Sequence, residues 1–152
     1  MMLNELYQEV ILDHYRHPCN FGRLEEAEIV VSDTNPLCGD EIELSLSMNG
    51  EEVVKEAAFS GRGCAISQAS ASMMTEKIKG LGLKDIENLL AKFKAMMRGE
   101  EVKDQLGELE AFKGVLKFPV RIKCALLAWA ILQKALLEYH ARELEQIKPV
   151  LS

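Results

Sequence analysis

The chain has 152 residues, with 48% hydrophobic and 28% charged residues, enough for one soluble domain with a real core. Its net charge of -6 argues against a general nucleic-acid footprint. The longest purely apolar run, CALLAWAIL at 124–132, is too short to span a bilayer.

The N-terminus carries acids where a signal peptide would carry a basic end, so a cytoplasmic setting is expected. Residues 3–16 read as an amphipathic helix, with Leu3, Leu6, Tyr7, Val10, Ile11 and Tyr15 on one face. HPCNFG then breaks it at Pro18 and Gly22. EIVVS at 28–32 predicts a first strand. From Asp40, Ile42, Leu44, Leu46 and Met48 alternate with Glu41, Glu43, Ser45 and Ser47, which predicts a half-buried second strand. Asn49-Gly50 signals a hairpin into a third strand at 52–59.

The pattern then turns helical. A helix is expected from about Cys64 to Lys79, capped by Gly80, with Ala and Ser residues suited to close packing. A second follows, with Ile86, Leu89, Leu90, Phe93 and Met97 on its apolar stripe. Residues 99–117 suggest a short helix or ordered loop anchored by Leu106, Leu109 and Phe112. Pro119 suits the first turn of a long closing helix, apolar nearly all round at its start. No repeat or linker interrupts the chain, so residues 1–152 read as one domain. The order predicts an α+β fold, a three-stranded antiparallel sheet with helices packed on one face.

The buried phase of the second strand, run backwards, lands on Asp40 and then Cys38. An unpaired buried carboxylate is expensive. Cys64 follows GRG at a helix start, and Cys124 lies in the second turn of the long helix. If Cys38, Asp40, Cys64 and Cys124 converge, they make a site of three sulfurs and one oxygen, suited to zinc(II) or iron–sulfur chemistry. Arg62, Arg121 and Lys123 stand beside these residues and could offset the negative charge, and Gly39 would let Cys38 and Asp40 reach one ion. The alternative is that the cysteines are small buried apolar groups and Asp40 a turn residue. Spacing alone leaves both open. Cys19, in a Pro-flanked turn, reads as structural. His14 and His17 read as surface or capping residues, and His140 as solvated.

Four segments together point further: YQEVILDHYRHPCNFG, NPLCGDEIEL, GRGCAISQASASMM and RIKCALLAW. In this order they resemble the IscU/NifU-like family of iron–sulfur assembly proteins. The resemblance covers nearly the whole chain. It implies a small α+β domain and a metal site of Cys38, Asp40, Cys64 and Cys124. In the scaffold branch a histidine directly precedes the third cysteine; here that position is Lys123. The stretch KFPVRIK lacks the Leu-Pro of that branch's chaperone segment, and the span between Cys64 and Cys124 is longer. These departures look like the SufU branch. That resemblance implies a zinc-dependent acceptor of persulfide sulfur from a SufS-type cysteine desulfurase, serving downstream iron–sulfur assembly machinery. It implies that a desulfurase group frees Cys38 on docking, making Cys38 the acceptor. The alternative is a scaffold on which a [2Fe–2S] cluster is built and passed on.

Overall fold

The computed structural model describes the backbone of residues 2–103 and 106–151, and side chains from 8–103 and 106–145. In chain order the elements are α1 (Met2–Arg16), β1 (Ile29–Asn35), β2 (Asp40–Met48), β3 (Val54–Arg62), α2 (Ala65–Ile78) and α3 (Leu83–Met97). A 3₁₀ segment (Gly107–Val115) and the long helix α4 (Pro119–Leu151) complete it. The strands form one antiparallel sheet in the order β1-β2-β3.

The period-2 pattern of β2 sets the layering. Ile42, Leu44 and Leu46 are at most 1% exposed, and α4 packs over β1 and β2 while α2 packs over β3. Ser45, placed by its alternation on the outer side, is buried too. Its hydroxyl accepts the Leu24 N–H at 3.2 Å, because the segment before β1 covers that face. β1 runs on to Asn35, beyond the 28–32 read from its Val and Ile content, and pairs Asn35 with Asp40. β3 is shifted to Val54–Arg62 from the expected 52–59, carrying Gly61 and Arg62 against β2. Gly61 is required there, since a Cβ would lie 2.0 Å from the Glu41 carbonyl oxygen.

Asn49-Gly50 does not make the two-residue hairpin its sequence suggests. The Asn49 side chain accepts the N–H groups of Glu51 and Val53, at 2.8 and 3.1 Å. Glu52, not Gly50, takes the left-handed conformation (φ 60°), and a register shift follows at Ser47/Met48. The asparagine side chain thus competes with the tight turn and lengthens it.

The Ala and Ser residues of α2 do bring backbones close: the Ser70 hydroxyl donates to the Ala125 carbonyl of α4 at 2.7 Å. Ser70 Oγ in turn accepts the Trp129 indole N–H at 3.0 Å. Trp129 stacks on Phe93 with centroids 4.3 Å apart and 12° between planes, which ties α3 to α4. The α3 stripe of Ile86, Leu89, Leu90, Phe93 and Met97 is buried as read, and so are Leu106, Leu109 and Phe112. In α1, Val10 and Ile11 pack on the core, but Tyr15 is 45% exposed and leaves the expected face. Leu3, Leu6 and Tyr7 lie outside the described side chains. His14 is not a surface or capping residue. Its ring meets the Ser72 hydroxyl at 2.8 Å and the Glu108 carboxylate at 3.2 Å, joining α1 to α2 and the 3₁₀ segment.

Candidate metal centre

Three elements deliver the candidate donors to one end of the sheet. The turn between β1 and β2 carries Cys38, and Asp40 begins β2. Gly39 between them has φ +68°, a left-handed conformation that glycine adopts without a Cβ penalty. Because Asp40 keeps the phase of Ile42, its carboxylate points beneath the helices, and it is fully buried. Cys64 is the N-cap residue of α2. α4 starts with Phe118 as its cap, whose carbonyl accepts the N–H groups of Arg121 and Ile122, and its second turn places Cys124 fully buried.

Cys38, Asp40 and Cys124 each bring a ligand atom within 4.8 Å of the others. The sulfurs of Cys38 and Cys124 are 2.8 Å apart. Cys64 does not join this tight group. Its sulfur accepts the Ser67 N–H at 3.4 Å, closing the first turn of α2. It still lies close enough to add to the raised pKa of Cys124. Burial is the largest cause of that shift, followed by hydrogen bonds with Cys38 and Asp40, and together they push the Cys124 thiol far above its ordinary range.

Asp40 is held by three donors. Its Oδ1 accepts the Cys64 N–H at 2.9 Å and the Ser67 O–H at 3.0 Å, and its Oδ2 accepts the Asn35 amide at 3.4 Å. Gly63 makes this cradle possible: a Cβ there would sit 2.4 Å from Asp40 Oδ1. No salt bridge reaches Asp40 among the described residues. Arg62, expected to offset the site's charge, instead pairs with Glu41 at 3.0 Å. Arg121 and Lys123 are exposed.

A buried carboxylate without a cation, beside cysteine sulfurs, fits a divalent metal. Two sulfurs on one tetrahedral zinc would stand about 3.7 Å apart, given Zn–S bonds of about 2.3 Å, wider than the 2.8 Å between Cys38 and Cys124 here. Cys38 is partly exposed, in an open cleft formed with Leu37, Phe118, Val120 and Arg121. Cys19 takes no part; its N–H is bound by the Ser72 hydroxyl at 2.8 Å. His140 is exposed and lies 3.7 Å from Glu87, as a solvated histidine would.

Two functional neighbours escaped the reading of the sequence. Asn35 is on the Asp40 face because the two residues pair across the hairpin. Ser67 is three residues after the cap, where capping geometry brings it back to Cys64. Both signals were present, in the register and the cap spacing.

Residues 6–146 match the family described as the NifU-like N terminal domain. The chain is 51% identical over 137 residues to the zinc-dependent sulfurtransferase SufU of Bacillus subtilis (strain 168), covering 87% of this chain and 90% of that protein. It is 42% identical over 136 residues to the iron–sulfur cluster assembly scaffold protein IscU of Streptococcus pyogenes serotype M1, covering 88% and 84%. A crystal structure of a candidate iron–sulfur cluster assembly scaffold protein for the SUF system, from Fervidobacterium islandicum AW-1, superposes with a TM-score of 0.81. It is 35% identical and covers 88% of this chain and 98% of that one. The sheet, the helices upon it and the matched span agree, and the chain belongs to the IscU/NifU family of NifU-like N-terminal domains.

Proposed function

We propose that this protein is a zinc-dependent sulfur acceptor of iron–sulfur assembly, taking sulfur from the persulfide of a SufS-type cysteine desulfurase. Cys38, Asp40, Cys64 and Cys124 are the residues that would hold zinc. The observation that carries the reading is the asymmetry of the donors: Cys124 and Asp40 are fully buried, whereas Cys38 sits in an open cleft on a glycine turn. Lys123 adds support, since it is exposed and no histidine stands there to extend the ligand set.

Bound zinc would keep the sulfurs deprotonated and restrained. The Cys38 thiolate then attacks the outer sulfur of the donor persulfide. A new S–S bond forms on Cys38, the donor's S–S bond breaks, and the desulfurase cysteine leaves as a thiolate. Asp40, locked by its three hydrogen bonds, stays in place. Leu37, Phe118 and Val120 around the cleft offer an apolar rim for the donor protein, with Arg121 supplying positive charge. The onward partner is the downstream iron–sulfur assembly machinery, in a reducing compartment such as the cytoplasm, where the free cysteines stay reduced.

The test is incubation of the zinc-loaded protein with the cognate desulfurase and cysteine, then alkylation and mass spectrometry of every cysteine. One added sulfur on Cys38, absent in Cys38→Ala, is expected. No adduct, or an adduct on Cys124 alone, refutes the reading. The similarity to IscU favours a second reading, a scaffold for a [2Fe–2S] cluster. It requires that anaerobic purification yield a brown protein with stoichiometric iron, whereas the zinc reading requires a colourless one.

A further inference from the structure

We infer that Asn35 is the positioning residue that makes Cys38, rather than Cys124, the reactive sulfur. This inference rests on the sulfur-acceptor reading and deepens it. Asn35 is buried at the end of β1, directly across from Asp40. Its carbonyl oxygen accepts the Cys38 N–H at 3.2 Å and so closes the turn that carries Cys38. Its side-chain amide donates to Asp40 Oδ2 at 3.4 Å and to Cys124 Sγ at 3.7 Å. One residue therefore touches three of the four donors, each differently.

The hydrogen bonds divide the donors into two kinds. Asp40 receives three donors, Cys64 receives the Ser67 N–H, and Cys124 receives the Asn35 amide. Among the described residues the hydrogen bond that reaches the Cys38 sulfur is the Cys124 S–H at 2.8 Å, and metal binding removes that proton. A hydrogen bond donated to a sulfur ligand withdraws electron density from it, weakens it as a nucleophile and fixes its orientation. With both thiols deprotonated, Cys38 is left without a donor and keeps its nucleophilicity, while Cys124 still receives the Asn35 amide. Cys38 is also the sulfur beside the left-handed Gly39 that lines the open cleft. Asn35 thus quiets Cys124 and leaves Cys38 reactive.

The experiment uses the full-length zinc-loaded protein and limiting iodoacetamide, with mass spectrometry of each cysteine and no desulfurase present. Asn35→Leu removes the amide but keeps the branching of the side chain, and Asn35→Ala removes it with less steric demand. Ser67→Ala is the control, because it takes a donor from Asp40 without touching Cys124. Cobalt(II) absorption reports that each variant holds metal. In the parent protein Cys38 is alkylated first. In both Asn35 variants the ratio of Cys124 to Cys38 labelling rises about five- to tenfold, the size of one hydrogen bond, and in Ser67→Ala it does not. An unchanged ratio in the Asn35 variants overturns the inference, even if Cys38 proves to accept sulfur. An equal rise in Ser67→Ala overturns it too, since any loosening of the site would then suffice. So does failure of both Asn35 variants to bind cobalt while Ser67→Ala remains loaded, because Asn35 would then hold the whole site. Failure of the broader reading looks different: the parent protein would label Cys38 first yet take no sulfur from the desulfurase.

Discussion

Replacing Gly63 with alanine tests the cradle around Asp40 most directly. The new Cβ would stand 2.4 Å from Asp40 Oδ1, 2.9 Å from Asp40 Cα and 2.9 Å from Ser67 Oγ. A side-chain rotation cannot relieve all three, because one contact is backbone and Oδ1 is already fixed by Cys64 and Ser67. Gly63 also has φ +154°, which L side chains rarely adopt. The backbone strain costs about 1–3 kcal/mol and the overpacking about 1–3 kcal/mol. The sum is a large share of the roughly 5–15 kcal/mol that hold a domain folded. For a chain of this size the melting temperature should fall by of the order of 10 °C. Gly39→Ala is the comparison: its φ is +68° but nothing lies within 4 Å, so only backbone strain of about 1–2 kcal/mol applies. Denaturant unfolding of both metal-free variants gives the stability, and competition with a chromophoric chelator gives zinc affinity. Gly63→Ala should lose both stability and affinity, and lose more stability than Gly39→Ala. Equal stability losses in the two variants, or a Gly63→Ala protein with parental zinc affinity, would refute the reasoning.

Other perturbations test other parts of the molecule. Trp129→Ala removes the stack on Phe93 and the bond to Ser70, and should cost about 3–5 kcal/mol by denaturant unfolding. Asp33 is held below its ordinary carboxylate value, first by the Lys134 ammonium and then by the Thr34 N–H. A lowered folded pKa stabilises above the unfolded value and is lost as pH falls through the folded one. This pair is exposed, so Lys134→Ala should cost less than about 1 kcal/mol at neutral pH. Parent and variant should converge in melting temperature once the pH falls well below the ordinary 3.8. Zinc at a hundred times its dissociation constant should stabilise the protein by about 2.7 kcal/mol. Cys124→Ser should reduce that increment in a zinc-dependent melt, and a chelator should abolish it in the parent.

The fold was legible where periodicity was strong. Ile42, Leu44 and Leu46 announced both the strand and its buried side, and the α3 stripe was read residue for residue. Boundaries slipped where side chains compete with regular structure, as at Asn49, which captures two backbone N–H groups and remakes the turn. Of the four candidate donors read from the sequence, Cys38, Asp40 and Cys124 come together while Cys64 stands apart, and the phase of β2 rightly placed Asp40 inside. The support of the site was not legible: Asn35 and Ser67 become neighbours of Asp40 only through pairing register and helix capping. Arg62 misled because proximity in sequence does not set direction; on an extended strand its side chain turns to Glu41. His14 misled for a similar reason, since its partners lie 58 and 94 residues away.

The donors also bear on how the chain is laced together. Cys38 and Cys124 are 86 residues apart. An ion gripping both ends of such a span acts as a reversible tether, and a covalent link of that length would confine the unfolded chain by about 4–5 kcal/mol. Asp40 stands only two residues from Cys38 and, in the proposed site, would fasten the same hairpin to the same ion. With Cys38 released, the span would remain closed through Asp40. On the proposed reading the hairpin would have two moorings of nearly equal reach, so that the thiol could be cast off to carry sulfur while the carboxylate kept the hairpin tied to α4.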